Sequence, residues 1–394
     1  MAAARRAFLL LLFVLAAVRS AEGYQRIYNV FNFRAAGDGK TDDTQAFLAT
    51  WQAACSDGNK PVMAIPGGRA FLLSQVSFQG PCKSPITIKL DGKIVAPNYI
   101  WTKQSANLLT FHAVDYLTLD GNGEIDGQGA IWWDCFNQKR CYDRPILLAF
   151  AWCNHLTVTR IHLTNSADKH MTLFQCSQAI VDDVSITAPA DSPNTDGITV
   201  AYSNNTYISN CAIQTGDDCV SVLSHTKNVT VTHSRCGPGH GVSVGSLGKS
   251  ETAVVEQITV SNCSFVGTMT GVRIKSWQGG KGYAKGFLFE NLNMTEVQYP
   301  IVIDQFYCPQ GNCPTKYGGV AISDAKFINI QGTSSEKEAI RLMCSQSVHC
   351  QGIYLSNINI SWVNHTSPPN ATIWNAHGTT GGMVVPRIQF SNSL

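Results

Sequence analysis

From about residue 60 onward, short β-branched runs recur with Asn, Asp, Ser or Gly between them. HLTVTRIHLTNS (155–166), AIVDDVSITAP (179–189), TYISNCAIQTG (206–216), NVTVTHSRCGPG (228–239), QITVSNCSFVGT (257–268), GFLFENLNMTEV (286–297) and GIYLSNINISWV (352–363) each read as strand, brief polar corner, strand. A second apolar run follows several of them, as in DGITV (196–200), DDCVSV (217–222), HGVSV (240–244), GVRIK (271–275) and PIVID (300–304). The period varies from 22 to about 30 residues, the range of solenoid repeats. A propeller blade needs roughly 40–50 residues, and a sandwich needs no internal similarity. One helix is predicted over 41–56, TDDTQAFLATWQAACS. Thr41, Asp42 and Asp43 are its cap candidates, and Ala46, Phe47, Ala49, Trp51 and Ala54 fall at helical spacing. The expected fold is therefore all-β: a single-stranded right-handed parallel β-helix with a short N-terminal capping helix.

The first 23 residues change the boundaries of that domain. Arg5 and Arg6 precede an apolar run from Ala7 to Val18, which ends at small residues. The run is too short for a membrane span and reads as a secretory signal peptide over 1–23, leaving 24–394 as one β-helix domain. No later stretch is apolar enough to cross a membrane, so no membrane partner is expected after signal removal. Fourteen cysteines behind a signal peptide point to disulfides. Cys135–Cys141, Cys308–Cys313 and Cys344–Cys350 make the local pairs, and Cys219–Cys236 and Cys55–Cys82 the longer loops. Cys153, Cys176, Cys211 and Cys263 sit in strand-like runs, where a free thiol and a bridge remain equally open. The cysteines lack the paired CxxC spacing of a zinc site, and no metal is expected. Seven sequons, at Asn204, Asn228, Asn262, Asn293, Asn359, Asn364 and Asn370, exceed chance, and some are expected to carry glycans. A net charge of +2 argues against a nucleic-acid partner, so any anionic ligand must be held by a local cluster. Only 14 % of residues are charged and 33 are Gly, which suits a turn-rich β protein.

The repeat period brings chemistry together. One coil advances by one strand spacing, about 4.8 Å, so residues one period apart stack. Asp196, Asp218 and His240 are spaced by 22 and 22 residues and fall in one ladder, with Asp217 beside it. Like charges in one ladder are unfavourable, and such a stack raises at least one carboxyl pKa. Gly216 offers a sharp turn that separates the directions of Asp217 and Asp218, and a Cys219–Cys236 bridge would tie the segment down just before His240. One coil further, Arg273 and Lys275 share a strand face. They form either a solvated edge or a cationic clamp for an acidic ligand; beside a carboxylate ladder the clamp is the better reading. Three carboxylates, one His and two cations on a groove wall suit glycoside hydrolysis, in which one acid protonates the leaving oxygen and other carboxylates activate water. GSLGKS (245–250) ends like a phosphate loop but lacks its first glycine.

At these residues the sequence resembles the polygalacturonase family, the pectin-cleaving glycoside hydrolases, and particularly its plant members. SPNTDGI (192–198), TGDDC (215–219), CGPGHGVSVGSLG (236–248) and GVRIKSW (271–277) match in order and spacing, and GDGKTDDTQAF (37–47) and YPIVIDQFYC (299–308) extend the match across nearly the whole mature chain. The resemblance implies a parallel β-helix and inverting hydrolysis of α-1,4-galacturonan without metal or cofactor. It makes Asp217 the general acid, and Asp196 and Asp218 the pair that holds and deprotonates water. His240 would tune the acid, and Arg273 and Lys275 would hold a galacturonate carboxylate. Tyr307 matches a substrate-contacting tyrosine, or else packs as a rim aromatic on the Cys308 bridge. Asn194 orients the aspartates or ligand, or else caps its corner.

The sequence departs from the plant pattern at Thr199, where His is usual, and at VSVLSHTKN, which is expected to put Leu223 and His225 near the site. Trp374 and Ile388 stand where relatives commonly have cysteines, so that end bridge is expected to be absent. The alternatives are a hydrolase of rhamnogalacturonan or xylogalacturonan, a Ca²⁺-dependent pectate lyase, and a non-catalytic wall-binding β-helix. The expected partner is pectin, an acidic polysaccharide, met outside the cell in the wall, and the expected state is a monomer.

Overall fold

The structure is a computed structural model and describes residues 25–364 and 367–390. The expected signal peptide, 1–23, lies outside the described residues. Successive coils contribute strands to three ladders, and every strand pairing is parallel. A single coil shows the rule. Ile146–Ala151 enters an 11-stranded sheet, Thr157–Thr159 and His162–Thr164 enter the two ladders of the larger sheet, and Met171–Phe174 returns to the first. Toward the C-terminus the two ladders of the larger sheet fuse, because strands such as Lys281–Val297 span both. This is the parallel β-helix that the repeat pattern predicts.

The core is a set of files running along the axis. Ile198, Val220, Val242, Val272, Ile301 and Ile340 stand in direct register on successive coils, all essentially inaccessible to solvent. Phe78, Phe111 and Phe150 stack in another file, with centroids 5.0 and 5.4 Å apart. Each buried Val, Leu, Ile or Phe side chain contributes about 1.5–3 kcal/mol, so the regular spacing of β-branched runs is what selects the register. Corners between strands take left-handed backbone at asparagines. Asn262, Asn291, Asn329 and Asn357 all have φ near +54°, and the last three amides each donate to the one on the preceding coil at 3.1–3.3 Å.

The predicted helix forms over Thr44–Cys55. It buries Ala46, Phe47, Thr50, Trp51 and Ala54, and it lays Trp51 against Phe78 and Phe111 at the open end of the core. Of its cap candidates, Asp42 accepts from the Thr44 N–H, whereas Asp43 turns away to bind the N–H groups of Ala36 and Gly37. All five expected disulfides are present: Cys55–Cys82, Cys135–Cys141, Cys219–Cys236, Cys308–Cys313 and Cys344–Cys350. Cys153, Cys176, Cys211 and Cys263 are free and buried. Trp374 is exposed and Ile388 packs against the core. All seven sequon asparagines are exposed. No helix of the described residues is long and apolar enough to cross a membrane.

Candidate active site

The 11-stranded sheet positions the site. Asp196, Asp218 and His240 each lie two residues before the in-register trio Ile198, Val220 and Val242, so they stack as the period predicts. Backbone rungs hold the stack: Gly197 N–H donates to Asp218 O at 2.9 Å, and His240 N–H to Asp217 O at 2.8 Å. The Cys219–Cys236 bridge closes the loop that carries them. Gly216 has a different reason from the expected turn. Its φ is not in the left-handed region; a Cβ there would lie 2.0 Å from Ser192 O, so glycine is needed for close approach of two coils.

The two adjacent aspartates face different partners. Asp218 Oδ2 accepts from Lys275 Nζ at 2.8 Å, while its Oδ1 accepts from Arg273 Nη2 at 2.8 Å and from Ser243 Oγ at 2.7 Å. The side chains of this trio are only 3 % (Asp218), 9 % (Arg273) and 7 % (Lys275) exposed. Asp217 Oδ1 lies 3.0 Å from His240 Nδ1, and its Oδ2 accepts from Asn194 Nδ2 at 3.4 Å. Asp196 Oδ2 accepts from Ser221 Oγ at 2.9 Å and from Thr199 Oγ1 at 3.4 Å. The lysine and arginine clamp is thus already engaged by a carboxylate of the protein. Tyr307 has its ring under Lys275 Nζ at 5.3 Å and edge-on to Trp277 at 5.3 Å, which places it at the site rather than on the Cys308 bridge alone.

Several contributors were not legible in the sequence. Thr199, Ser221 and Ser243 stand in register with Arg273 and form a hydroxyl floor beneath the carboxylates; Ser243 also accepts from Arg273 Nε at 3.0 Å. A signal for them existed in the V-S-V strands, where a polar residue is buried on a strand with two buried faces. Arg144, buried, donates to the carbonyls of Ala167 and Pro193 and, through Nη2 at 2.8 Å, to Asn194 Oδ1. Asn194 therefore both forms a left-handed corner, with φ +57°, and links Arg144 to Asp217. His170 is fully buried. Its Nε2 accepts from the Ser166 N–H, which leaves Nδ1–H to donate to Asp196 O at 3.1 Å. Burial lowers its pKa to about 4, so it stays neutral. By contrast, His225 stacks on Tyr202 and lies 3.9 Å from Glu251, and Leu223 donates its N–H to Val200 O; neither touches the carboxylates or His240. The strand ends at Val222, and in the corner that follows His225 packs with Tyr202 and Glu251.

The electrostatics separate Asp196 from Asp217. Burial pushes Asp196 up to about 7; Lys169 resists that rise, and the charges of Asp217 and Asp218 add to it. For Asp217 burial also acts upward, but the hydrogen bond and charge of His240, the charge of Lys275 and the Asp218 N–H outweigh it, holding Asp217 well below the usual carboxylate range. Of these two, Asp196 is thus the carboxyl that more readily carries a proton. Asp217, Asp218 and His240 bring donor atoms within 4.8 Å of one another. Both Asp218 oxygens are engaged by built-in cations, so a metal ion would have to displace them, and the donor set fits a metal poorly.

The profile of glycosyl hydrolases family 28 matches residues 55–380. The chain belongs to this family. Among relatives in family 28 or named as its enzymes, a polygalacturonase of Prunus persica is 39% identical, covering 98% of this chain and 99% of the relative. A probable polygalacturonase of Arabidopsis thaliana is 37% identical over 92% of this chain and 84% of its own length. Polygalacturonase-2 of Solanum lycopersicum is 38% identical over 92% and 80%. Among solved structures, an endo-xylogalacturonan hydrolase from Aspergillus tubingensis superposes with a TM-score of 0.79 at 23% identity, over 90% of this chain and 98% of that one. A polygalacturonase from Erwinia carotovora ssp. carotovora gives 0.68 at 22%, over 86% and 94%. At such identity these structures bear on the fold, which is the same β-helix.

Proposed function

We propose that the chain is a secreted polygalacturonase that hydrolyses α-1,4-galacturonosyl linkages of pectin by inversion, with Asp217 as acid and Asp196 and Asp218 holding the water. The observation that carries this reading is the joining of two features: a carboxylate–histidine stack in register on three coils, and a buried Arg273–Lys275 pair bound to one of its members. Such a pair suits a uronate, because a substrate carboxylate can share the contacts that Arg273 and Lys275 make to Asp218. The names of the plant relatives support galacturonan as the polymer. Membership in a hydrolase family favours water as the attacking group over a lyase reaction or a purely adhesive role.

The acid role needs a protonated Asp217, whereas the protein's own groups favour the proton on Asp196. Substrate supplies the difference. A uronate carboxylate drawn to Arg273 and Lys275 adds a negative charge beside Asp217 and competes for the cations that lower it, so Asp217 rises. The cluster then works with one proton, shared as a macroscopic titration of the group. On substrate binding this proton passes to Asp217, which donates it to the leaving glycosidic oxygen. Asp196, now ionised over its Ser221 and Thr199 hydroxyls, takes a proton from the attacking water. Arg144 and Asn194 hold Asp217 in place.

Some of the exposed sequon asparagines are proposed to carry glycans, as expected of a secreted chain with five disulfides. Incubation with polygalacturonate across pH tests the reading. The expected result is new reducing ends, with kcat/KM falling above pH about 7 as the cluster loses its single proton. A profile flat into the alkaline range contradicts it.

A further inference from the structure

The file that holds Asp196 and Asp218 continues one coil toward the N-terminus. Met171 stands in register with Ile198, so Lys169, two residues before Met171, falls in one file with Asp196, two residues before Ile198. A backbone rung joins the two coils there: His170 N–H donates to Asp196 O at 2.8 Å. Lys169, Asp196, Asp218 and His240 thus follow one another on successive coils, at about 4.8 Å per coil. The two carboxyls stand in the middle of this run, and a basic group closes each end.

Each carboxyl of the cluster also has a basic group of its own. His240 faces Asp217, and Arg273 and Lys275 hold Asp218. The hydrogen bonds to the Asp196 carboxylate come from neutral hydroxyls, those of Ser221 and Thr199. Its basic group is Lys169, whose charge opposes the effect of burial on Asp196 more strongly than that of Lys275 does, while Asp217 and Asp218 act the other way. Asp168 anchors the ammonium at 3.4 Å, and the two side chains are only 28 % (Lys169) and 20 % (Asp168) exposed. Burial works against the charge of Lys169, but Asp196, Asp168 and Asp217 outweigh it, so the ammonium stays protonated. Arg144 adds positive charge toward Asp168 and Asp217.

We propose that Lys169 is a positioning residue for the reaction: from the end of the file it keeps Asp196 ionised while Asp217 holds the proton, so that Asp196 can accept a proton from the attacking water. This rests on the hydrolase reading and deepens it. The cluster has one proton to place, and Lys169 directs it to the acid rather than to the base. Lys169 itself neither gains nor loses a proton in the step.

Lys169→Gln and Lys169→Arg in the full-length secreted chain test the role by two readouts across pH: hydrolysis of polygalacturonate and urea unfolding. With the ammonium removed, Asp196 keeps its proton to higher pH. The acidic limb of kcat is expected to move up by on the order of one pH unit, with kcat near pH 5 falling about tenfold and KM little changed. Lys169→Arg is expected to keep the wild-type profile. In unfolding, the stability that Asp196 contributes is present at low pH and lost as pH rises through its folded pKa, about 7 in the wild type. In Lys169→Gln that loss is expected at higher pH. Lys169→Met, which removes the charge and keeps a stem of similar length, replaces Lys169→Gln if the latter does not fold. A uniform fall in kcat at every pH is a structural loss and overturns the role, and a rise in KM with an unmoved profile makes Lys169 a substrate contact and overturns it too. A wild-type chain that cleaves no polygalacturonate fails the hydrolase reading. An unfolding loss that stays at the same pH in Lys169→Gln overturns the pairing of Lys169 with Asp196, whether or not the chain cleaves.

Discussion

Two sets of charged side chains stand on ladders of the same β-helix, and they follow opposite rules. On the larger sheet Lys227, Glu256 and Lys285 occupy one file on successive coils, with signs alternating. Glu256 lies 3.0 Å from Lys227 Nζ and 3.4 Å from Lys285 Nζ, and both lysines are more than half exposed. On the 11-stranded sheet Asp196 and Asp218 stack with the same sign, Asp217 lies beside them, and the compensating Arg273 and Lys275 are buried with Asp218. The backbone geometry is the same in both places. The outer file is arranged as stability alone would arrange it: opposite charges, in water, each pair contributing little. The inner cluster places like charges together away from water, which costs stability and is kept where it shifts proton affinities.

The contrast breaks most visibly at Asp217. Asp217→Asn keeps the hydrogen bond to Asn194 and the fold, and removes the proton donor. Activity on polygalacturonate is expected to fall by about 10²–10⁴-fold, the contribution of a positioned acid, with Tm little changed. A loss of activity accompanied by unfolding contradicts a chemical role.

Arg273→Ala strikes the same cluster through stability. It leaves Asp218 with Lys275 alone in a buried setting, and the expected cost is about 3 kcal/mol, read from urea unfolding. An unchanged midpoint shows that Asp218 reaches water when the guanidinium goes, and that the burial described above does not persist.

The raised Asp196 predicts a pH dependence of stability. Its folded pKa, about 7, lies above the ordinary aspartate value of 3.8, so between about pH 4 and 7 the folded state binds the extra proton. The contribution is fully present below the unfolded pKa and is lost as pH rises through the folded one, with a slope of at most about 1.4 kcal/mol per pH unit. Unfolding measured across this window is expected to show the loss, and Asp196→Asn to flatten it. A wild-type curve that instead rises with pH through the window contradicts the assignment.

The smallest effect is expected outside the site. Hydrogen bonds from Lys227, Tyr283 and Lys285 lower Glu256 to about 2, but it faces solvent-exposed partners. Glu256→Gln is expected to leave Tm and activity within error at moderate salt. A large drop in Tm would remove the distinction between the two ladders.

Much of this was readable from the chain because the coil period is constant where it matters. Equal spacing from Asp196 to Asp218 to His240 and the β-branched residues two positions later fix one register, so the stack and the shared face of Arg273 and Lys275 follow from counting. The helix and the five disulfides were legible for similar local reasons. Arg144, Lys169 and His170 were not. They come from earlier coils, and corners of unequal length between strands erase any fixed sequence distance to Asp217 and Asp196. The same irregularity hid the partners of His225, which a corner carries to Tyr202 and Glu251. The reason for Gly216 also required the structure, since the close approach of Ser192 O belongs to the neighbouring coil.

The most direct test of the cluster as a hydrolytic centre is product analysis after incubation with polygalacturonate, with a chelator present. New reducing ends, no unsaturated product absorbance, and abolition of the reaction by Asp217→Asn are expected. Unsaturated products, or a reaction that stops when the chelator is added, would contradict it.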